Sequence, residues 1–257
     1  MIADPDRRLA EALVEVRRAQ NRQAHGGPRF EGLDPALFVA PRDAAGAYAV
    51  QQAVAHELGW FASGRASAWK VGAPARDATP EATPLPPAGV VESPATLAAG
   101  AFTSIGIEGE VAFRLRDPSG SIDDAIGEIV VTIEIVAPRF RDLAAMPALL
   151  RLADQGVHGA LVVGSGIAWR GPIDWARQVA VVRRNGITVA ETRGGHPLGD
   201  LRYLVAWLAR HAASRGYPLA AGDLVTAGTW TGLVPARAGE VVSVAFPGIG
   251  EASVALT

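Results

Sequence analysis

The sequence predicts an α+β protein: an N-terminal helical segment followed by a mixed, mostly antiparallel β-sandwich or β-roll. Three observations predict it. Apolar residues at helical spacing dominate the first 60 residues. Strand-like runs dominate from Ile105 onward, clearest in IEGEVAFRL and IGEIVVTIEIV. An Asn-Gly pair, Asn185-Gly186, joins two apolar-rich arms as a tight hairpin does. The 257 residues suffice for one large domain, or one with a small appendage. The expected division is a helical segment, 1–66, packed on a catalytic β-rich domain, 67–257.

The first helix starts near Asp4 and Pro5, a cap and a favoured first position. Leu9, Leu13, Val14 and Val16 form its apolar side. A loop follows, then a second helix from about Asp43 to Leu58, stopped by Gly59. SAWKVGAP is a short strand carrying Lys70. Residues 73–100 are rich in Pro, Ala and Thr, and read either as a lid or binding loop or as a plain surface excursion. After the two clear strands a helix is expected around Asp142 to Asp154. A strongly amphipathic helix spans about Asp200 to Ser214, with Gly216 as its stop. The remainder reads as strands and turns.

Composition narrows the function. Nearly half the residues are hydrophobic, 19% are charged and the formal net charge is −2, as in a folded protein without the basic excess of a nucleic-acid binder. No cysteine is present, so disulfides, thiolate metal sites and a cysteine nucleophile are excluded. The N-terminus is charged within its first eight residues and lacks the apolar core of a signal peptide. No apolar run reaches the roughly 18 residues of a membrane span. A cytoplasmic enzyme is expected, with neither nucleic acid nor membrane as partner. No Gly-rich loop has dinucleotide or P-loop spacing, and no serine sits in a nucleophile elbow.

The carboxylates carry the chemistry. In a strand, Glu108 and Glu110 share one face about 7 Å apart at the backbone. A half-wet strand explains that pair by itself. Glu134 changes the balance, because EIVVTIEIVAP is apolar on both faces, as a doubly buried strand is. A lone ionised carboxylate there costs several kcal/mol unless it is paired or bound to a cation. Carboxylates on two strands without a basic neighbour suit a hard divalent cation such as Mg²⁺ or Mn²⁺. Of the histidines His25, His56, His158, His196 and His211, His56 and His211 fall on predicted helix surfaces. His158, just after Asp154, reads either as a satisfied loop residue or as part of a dyad.

These motifs, in order, resemble the fumarylacetoacetate hydrolase superfamily. They are most similar to its 2-keto-4-pentenoate hydratase and 4-oxalocrotonate decarboxylase branch. EGEVAF followed by IEIVAPRF carries the likeness, with AYAVQQAV, AWKVG, LADQGVHGALVVG, GGHPLGDLRYLVAWLA, LAAGDLVTAGTWTG and GIGEASVAL around it. The resemblance covers about residues 45–257. It implies the family's β-rich fold, Mg²⁺ or Mn²⁺ on Glu108, Glu110 and Glu134, and a homo-oligomer. It also implies a small 2-oxo or 2-hydroxydienoic acid substrate. Lys70 falls on a proton-transfer lysine, and Asp154 with Gln155 on an Asp-Asn pair near the pocket. Arg139 is the residue kept from an Asp-Ser-Arg stretch. Thr229 and Thr231 lie in a pocket-lining segment, where hydroxyls and amides hold a carboxylate.

The expected activity is that of a metal-dependent hydratase, a lyase of the kind used in meta-cleavage catabolism of aromatic compounds. A 2-oxo acid decarboxylase, an acylpyruvate C–C hydrolase and a non-catalytic partner subunit are the alternatives. A lysine in a partly dry pocket is expected to have a lowered pKa. Around the ligands the pattern departs from the family. Gln155 replaces Asn, Val157 replaces Ser, Ala137-Pro138 replaces Asp-Ser, and TPLPPAGVVESP matches no acidic family motif.

Overall fold

The structure, a computed structural model, describes residues 2–24, 26–27, 30–62 and 64–257; His25 therefore lies outside the described residues. Helix α1 (Asp4–Ala24) places Asp4 and Asp6 at its positive N-terminal end and buries Leu9, Leu13, Val14 and Val16. Asp43 caps α2 (Ala44–Glu57) by accepting the Gly46 N–H at 2.9 Å. Strand β1 (Ala68–Gly72) follows, and then the stretch that composition left irregular. It contains β2 (Glu81–Pro84), β3 (Val90–Glu92) and β4 (Ala95–Leu97). These short, Pro-flanked strands lie at sheet edges, where a missing N–H costs no ladder bond.

The long strands β5 (Gly106–Leu115) and β6 (Ile126–Val136) flank the single turn α3 (Ile122–Ala125). The helix expected over 142–154 is only α4 (Ala148–Ala153), because Pro147 keeps the residue before it extended. Strand β7 (His158–Ala168) precedes the hairpin β8 (Val179–Arg184) and β9 (Ile187–Arg193). Its turn residues Asn185 and Gly186 have φ of 51° and 81°, the positive values a type I′ turn needs. Helix α5 (Arg202–Ser214) leads to β10 (Leu224–Thr229), β11 (Val234–Pro235), β12 (Val241–Phe246) and β13 (Gly250–Leu256).

Two sheets result. The larger runs β2-β1-β10-β5-β6-β7-β3, with β11 also on β5; the smaller runs β4-β13-β12-β8-β9. Most pairs are antiparallel. The β1–β10, β3–β7 and β4–β13 pairs are parallel, which makes both sheets mixed. Because β3 joins one sheet and β4 the other, the Pro-rich stretch ties the two layers together. Ile107, Val111 and Phe113 of β5 and Val131, Ile133 and Ile135 of β6 share the main core with Val182, Val244 and Val254 of the smaller sheet. A second core joins α1, α2 and α4 to Val136 and Phe140. The other face of β5 and β6 carries the apolar pair Ala112 and Val130 in mid-strand, the Arg114–Glu128 pair beyond it, and the carboxylates at the opposite end.

Candidate metal centre

Strand register assembles the acidic end. Glu108 pairs across with Glu134, and Glu110 with Thr132, so all four side chains project from one face. One carboxylate oxygen from each of Glu108, Glu110 and Glu134 lies within 4.8 Å of the others. Glu110 and Glu134 are fully buried, while Glu108 is half-buried at the rim. Glu110 Oε2 accepts a short hydrogen bond from Thr226 Oγ1 and another from the Gly228 N–H at 3.3 Å. Glu110 Oε1 is buried and has no hydrogen-bond partner among the described residues. Such an atom needs a ligand, because an unmet buried acceptor costs about 1–3 kcal/mol, more when charged.

Lys70 closes the cluster. Its Nζ donates to Glu134 Oε1 at 2.9 Å, lies 2.8 Å from Oε2, and donates to Gly156 O at 3.3 Å. Lys70 is the only lysine in the chain; the other 23 basic residues are arginines. That count was available in the sequence and marks the position, since an ammonium is a compact charge that gives up its proton far more readily than a guanidinium. Burial alone would lower Lys70, but Glu134, Glu108 and Glu110 outweigh it and hold the ammonium above its ordinary value. This reverses the lowered pKa expected from sequence. Burial pushes Glu108 up to about 6 and Glu110 well above the carboxylate range. Burial also acts upward on Glu134, yet Lys70 and His158 prevail and bring it to about 2.

His158 is a neighbour that sequence reasoning left undecided. Its Nδ1 is 3.2 Å from Glu134 Oε1, so a proton on Nδ1 is donated to that carboxylate. Burial outweighs Glu134 and lowers the imidazole's pKa, which favours the neutral ring. Only the β6–β7 register, with His158 opposite Val136, brings it beside Glu134, and no local motif signals it.

Asp154 and Arg139 are not free groups at this centre. Arg139 Nε donates to Asp154 Oδ1 at 2.6 Å, and its backbone N–H to Oδ2 at 2.8 Å. Its remaining nitrogens donate to the carbonyls of Asp154 and His158 at 2.8 and 2.6 Å. This latch holds three successive left-handed residues, Gln155, Gly156 and Val157, with φ of 52°, 59° and 57°. For β-branched Val157 that conformation is strained by roughly 1–2 kcal/mol. The turn presents Gly156 O to Lys70 and buries the Gln155 amide, neither atom of which has a hydrogen-bond partner among the described residues. Thr229 lies opposite Glu110 across β10–β5, and Thr231 Oγ1 accepts the Gly109 N–H at 3.0 Å. A cleft of about 950 Å³ between α1, α2 and Tyr217 is lined by none of these residues.

Residues 48–256 match the family model described as fumarylacetoacetate (FAA) hydrolase C-terminal. The chain belongs to the fumarylacetoacetate hydrolase family. Relatives within it include a 2-hydroxyhexa-2,4-dienoate hydratase of Comamonas testosteroni, 28% identical over 58% of this chain and 59% of that protein. A 2-keto-4-pentenoate hydratase of Paraburkholderia xenovorans is 32% identical over 56% of each chain. A 4-oxalocrotonate decarboxylase of Pseudomonas putida is 25% identical over 57% of this chain and 58% of that one. The matches thus span under three fifths of these relatives. The fold is shared over nearly the full length with the 4-oxalocrotonate decarboxylase of Pseudomonas putida G7 complexed with magnesium and adipate. There the TM-score is 0.76, with 21% identity, covering 96% of this chain and 98% of that one. Among fumarylacetoacetate hydrolase relatives the N-terminal helices here are thus matched in structure as well as the β-rich body. No helix among the described residues is long and apolar enough to cross a membrane.

Proposed function

We propose that this chain is a divalent-cation-dependent lyase that adds water to a small 2-hydroxy-2,4-dienoate or the 2-oxo acid it tautomerises to. The observation that carries this reading is the Glu108–Glu110–Glu134 cluster, with a buried Glu110 Oε1 that no group among the described residues satisfies. An all-oxygen, all-anionic donor set suits Mg²⁺ or Mn²⁺. Bound there, the cation would supply Lewis-acid polarisation of a substrate's 2-oxo group. The names of the hydratase relatives support the substrate class.

Lys70 is the proton carrier in this reading. With the carboxylate charge neutralised, burial is what remains acting on it, and burial favours the free amine that can accept a proton. The unpartnered Gln155 amide and the Thr229 hydroxyl are assigned to the substrate's polar groups. Thr231 orients the segment through Gly109. Arg139 and Asp154, which sequence assigned to substrate and catalysis, act here by holding the left-handed turn. Residues 67–257 carry the chemistry and 1–66 cover it, with Gln51 of α2 donating to Thr83 Oγ1 at 3.1 Å and to Leu152 O at 2.6 Å beside the site.

The test is loss of the ultraviolet absorbance of a 2-hydroxy-2,4-dienoate. Turnover should require Mg²⁺ or Mn²⁺, stop on chelation, and fall by roughly 100-fold or more in Glu110→Gln and Glu134→Gln. Chelator-resistant turnover would overturn the cation. Stoichiometric CO₂ release, or cleavage of an acylpyruvate without hydration, would replace the hydratase by a decarboxylase or a C–C hydrolase.

A further inference from the structure

We infer that His196 is a positioning residue for the metal centre, acting through the single peptide plane between Ala227 and Gly228. The inference rests on Glu110 being a cation ligand, as proposed above.

The geometry begins with a bulge. Strand β10 pairs Thr226 with Ala112 and Thr229 with Glu110, so one extra residue sits on β10 between these pairs. The Ala227 carbonyl lies in that bulge, where His196 Nε2 meets it at 3.0 Å. A carbonyl only accepts, so Nε2 carries the proton. His196 Nδ1 accepts the Leu198 N–H at 3.2 Å and so carries none. Two backbone contacts therefore define one neutral tautomer.

In a trans peptide the C=O and the N–H point opposite ways. Fixing the Ala227 carbonyl on His196 thus aims the Gly228 N–H at the other side, where it donates to Glu110 Oε2 at 3.3 Å. Gly228 has φ +96°, and a Cβ there would lie 3.3 Å from His196 Nε2, so the seat needs glycine. The imidazole cannot swing away. Trp230 packs against it at 5.4 Å between ring centres, and Trp175 and Phe246 brace Trp230 at 5.4 and 5.7 Å. With Gly228 N–H and Thr226 Oγ1 both on Oε2, the carboxylate is held through that oxygen, and buried Oε1 is left without a hydrogen-bond partner among the described residues. A flip of this one peptide would break the His196 bond and the Glu110 bond together.

The experiment is calorimetric Mn²⁺ titration of the full chain at neutral pH. His196→Leu removes the donor and keeps the bulk. His196→Gln puts an amide donor near the Nε2 position. Mn²⁺ affinity should fall about 10-fold or more in His196→Leu, and lie within about threefold of the parent in His196→Gln. A folded His196→Leu that binds Mn²⁺ like the parent overturns the inference. Should His196→Leu not fold, the parent's imidazole ¹⁵N spectrum decides. The Nε2–H tautomer is required, and the Nδ1–H tautomer refutes it. A parent that binds no Mn²⁺ fails differently, removing the cation reading itself.

Discussion

Replacing Arg139 by Met tests the latch behind the centre. Arg139 and Asp154 are both almost wholly buried, with Nε to Oδ1 at 2.6 Å. Met fills much of the stem's volume but takes away the guanidinium bonded to Asp154, leaving the backbone N–H of position 139 on that carboxylate. It also strips a donor from the carbonyls of Asp154 and His158. One-sided loss of a buried ion pair costs about 3–5 kcal/mol, so we expect a loss near 4 kcal/mol. For a chain of this length that lowers the melting temperature by about 8–16 °C. Urea unfolding followed by fluorescence of the six tryptophans measures it. The double variant Arg139→Met/Asp154→Leu should be more stable than the single, because the carboxylate stranded by the single change is gone. A loss under about 1 kcal/mol in the single variant, or a double variant no better than it, would refute this account.

Two further outcomes follow from the same geometry. Gly109→Ala sets a Cβ 2.9 Å from Val244 Cγ1 and 3.1 Å from Thr231 Cγ2, so overpacking should cost about 1–3 kcal/mol; an unchanged urea midpoint would show that the strand gives way freely. Burial holds His196 at about 4, against about 6.5 in an unfolded chain. The unfolded chain takes up the proton first as pH falls, so this stability is complete above about pH 6.5 and is lost towards pH 4. The loss is at most about 3 kcal/mol, and His196→Gln should flatten that slope in urea midpoints taken between pH 7.5 and 4.5.

What was legible in the sequence was local. Asp43 and Gly59 bracket α2, Asn185-Gly186 makes its hairpin, and β5 and β6 stand where their apolar runs are, because each signal is written within a few residues. Glu108, Glu110 and Glu134 could be grouped since Glu134 breaks an otherwise apolar strand. The edge strands β3 and β4 were not legible, because their partners lie 70 or more residues away, and β2 is only four residues on neighbouring β1. His158 and His196 were hidden for the same reason. Each owes its part to strand register or to a bulge, and neither leaves a trace in spacing. Lys70 could have been picked out by counting alone.

That count has a practical side. The chain has a single ε-amine, which stands among three carboxylates. An amine-directed acylating reagent can therefore mark the side chains of this protein at one place, leaving the α-amino terminus as the other target. Only the unprotonated amine reacts, so the speed of labelling follows how firmly the surrounding acids hold the proton. A mass shift on one tryptic-resistant site becomes a meter for the charge state of the centre, without substrate and without turnover.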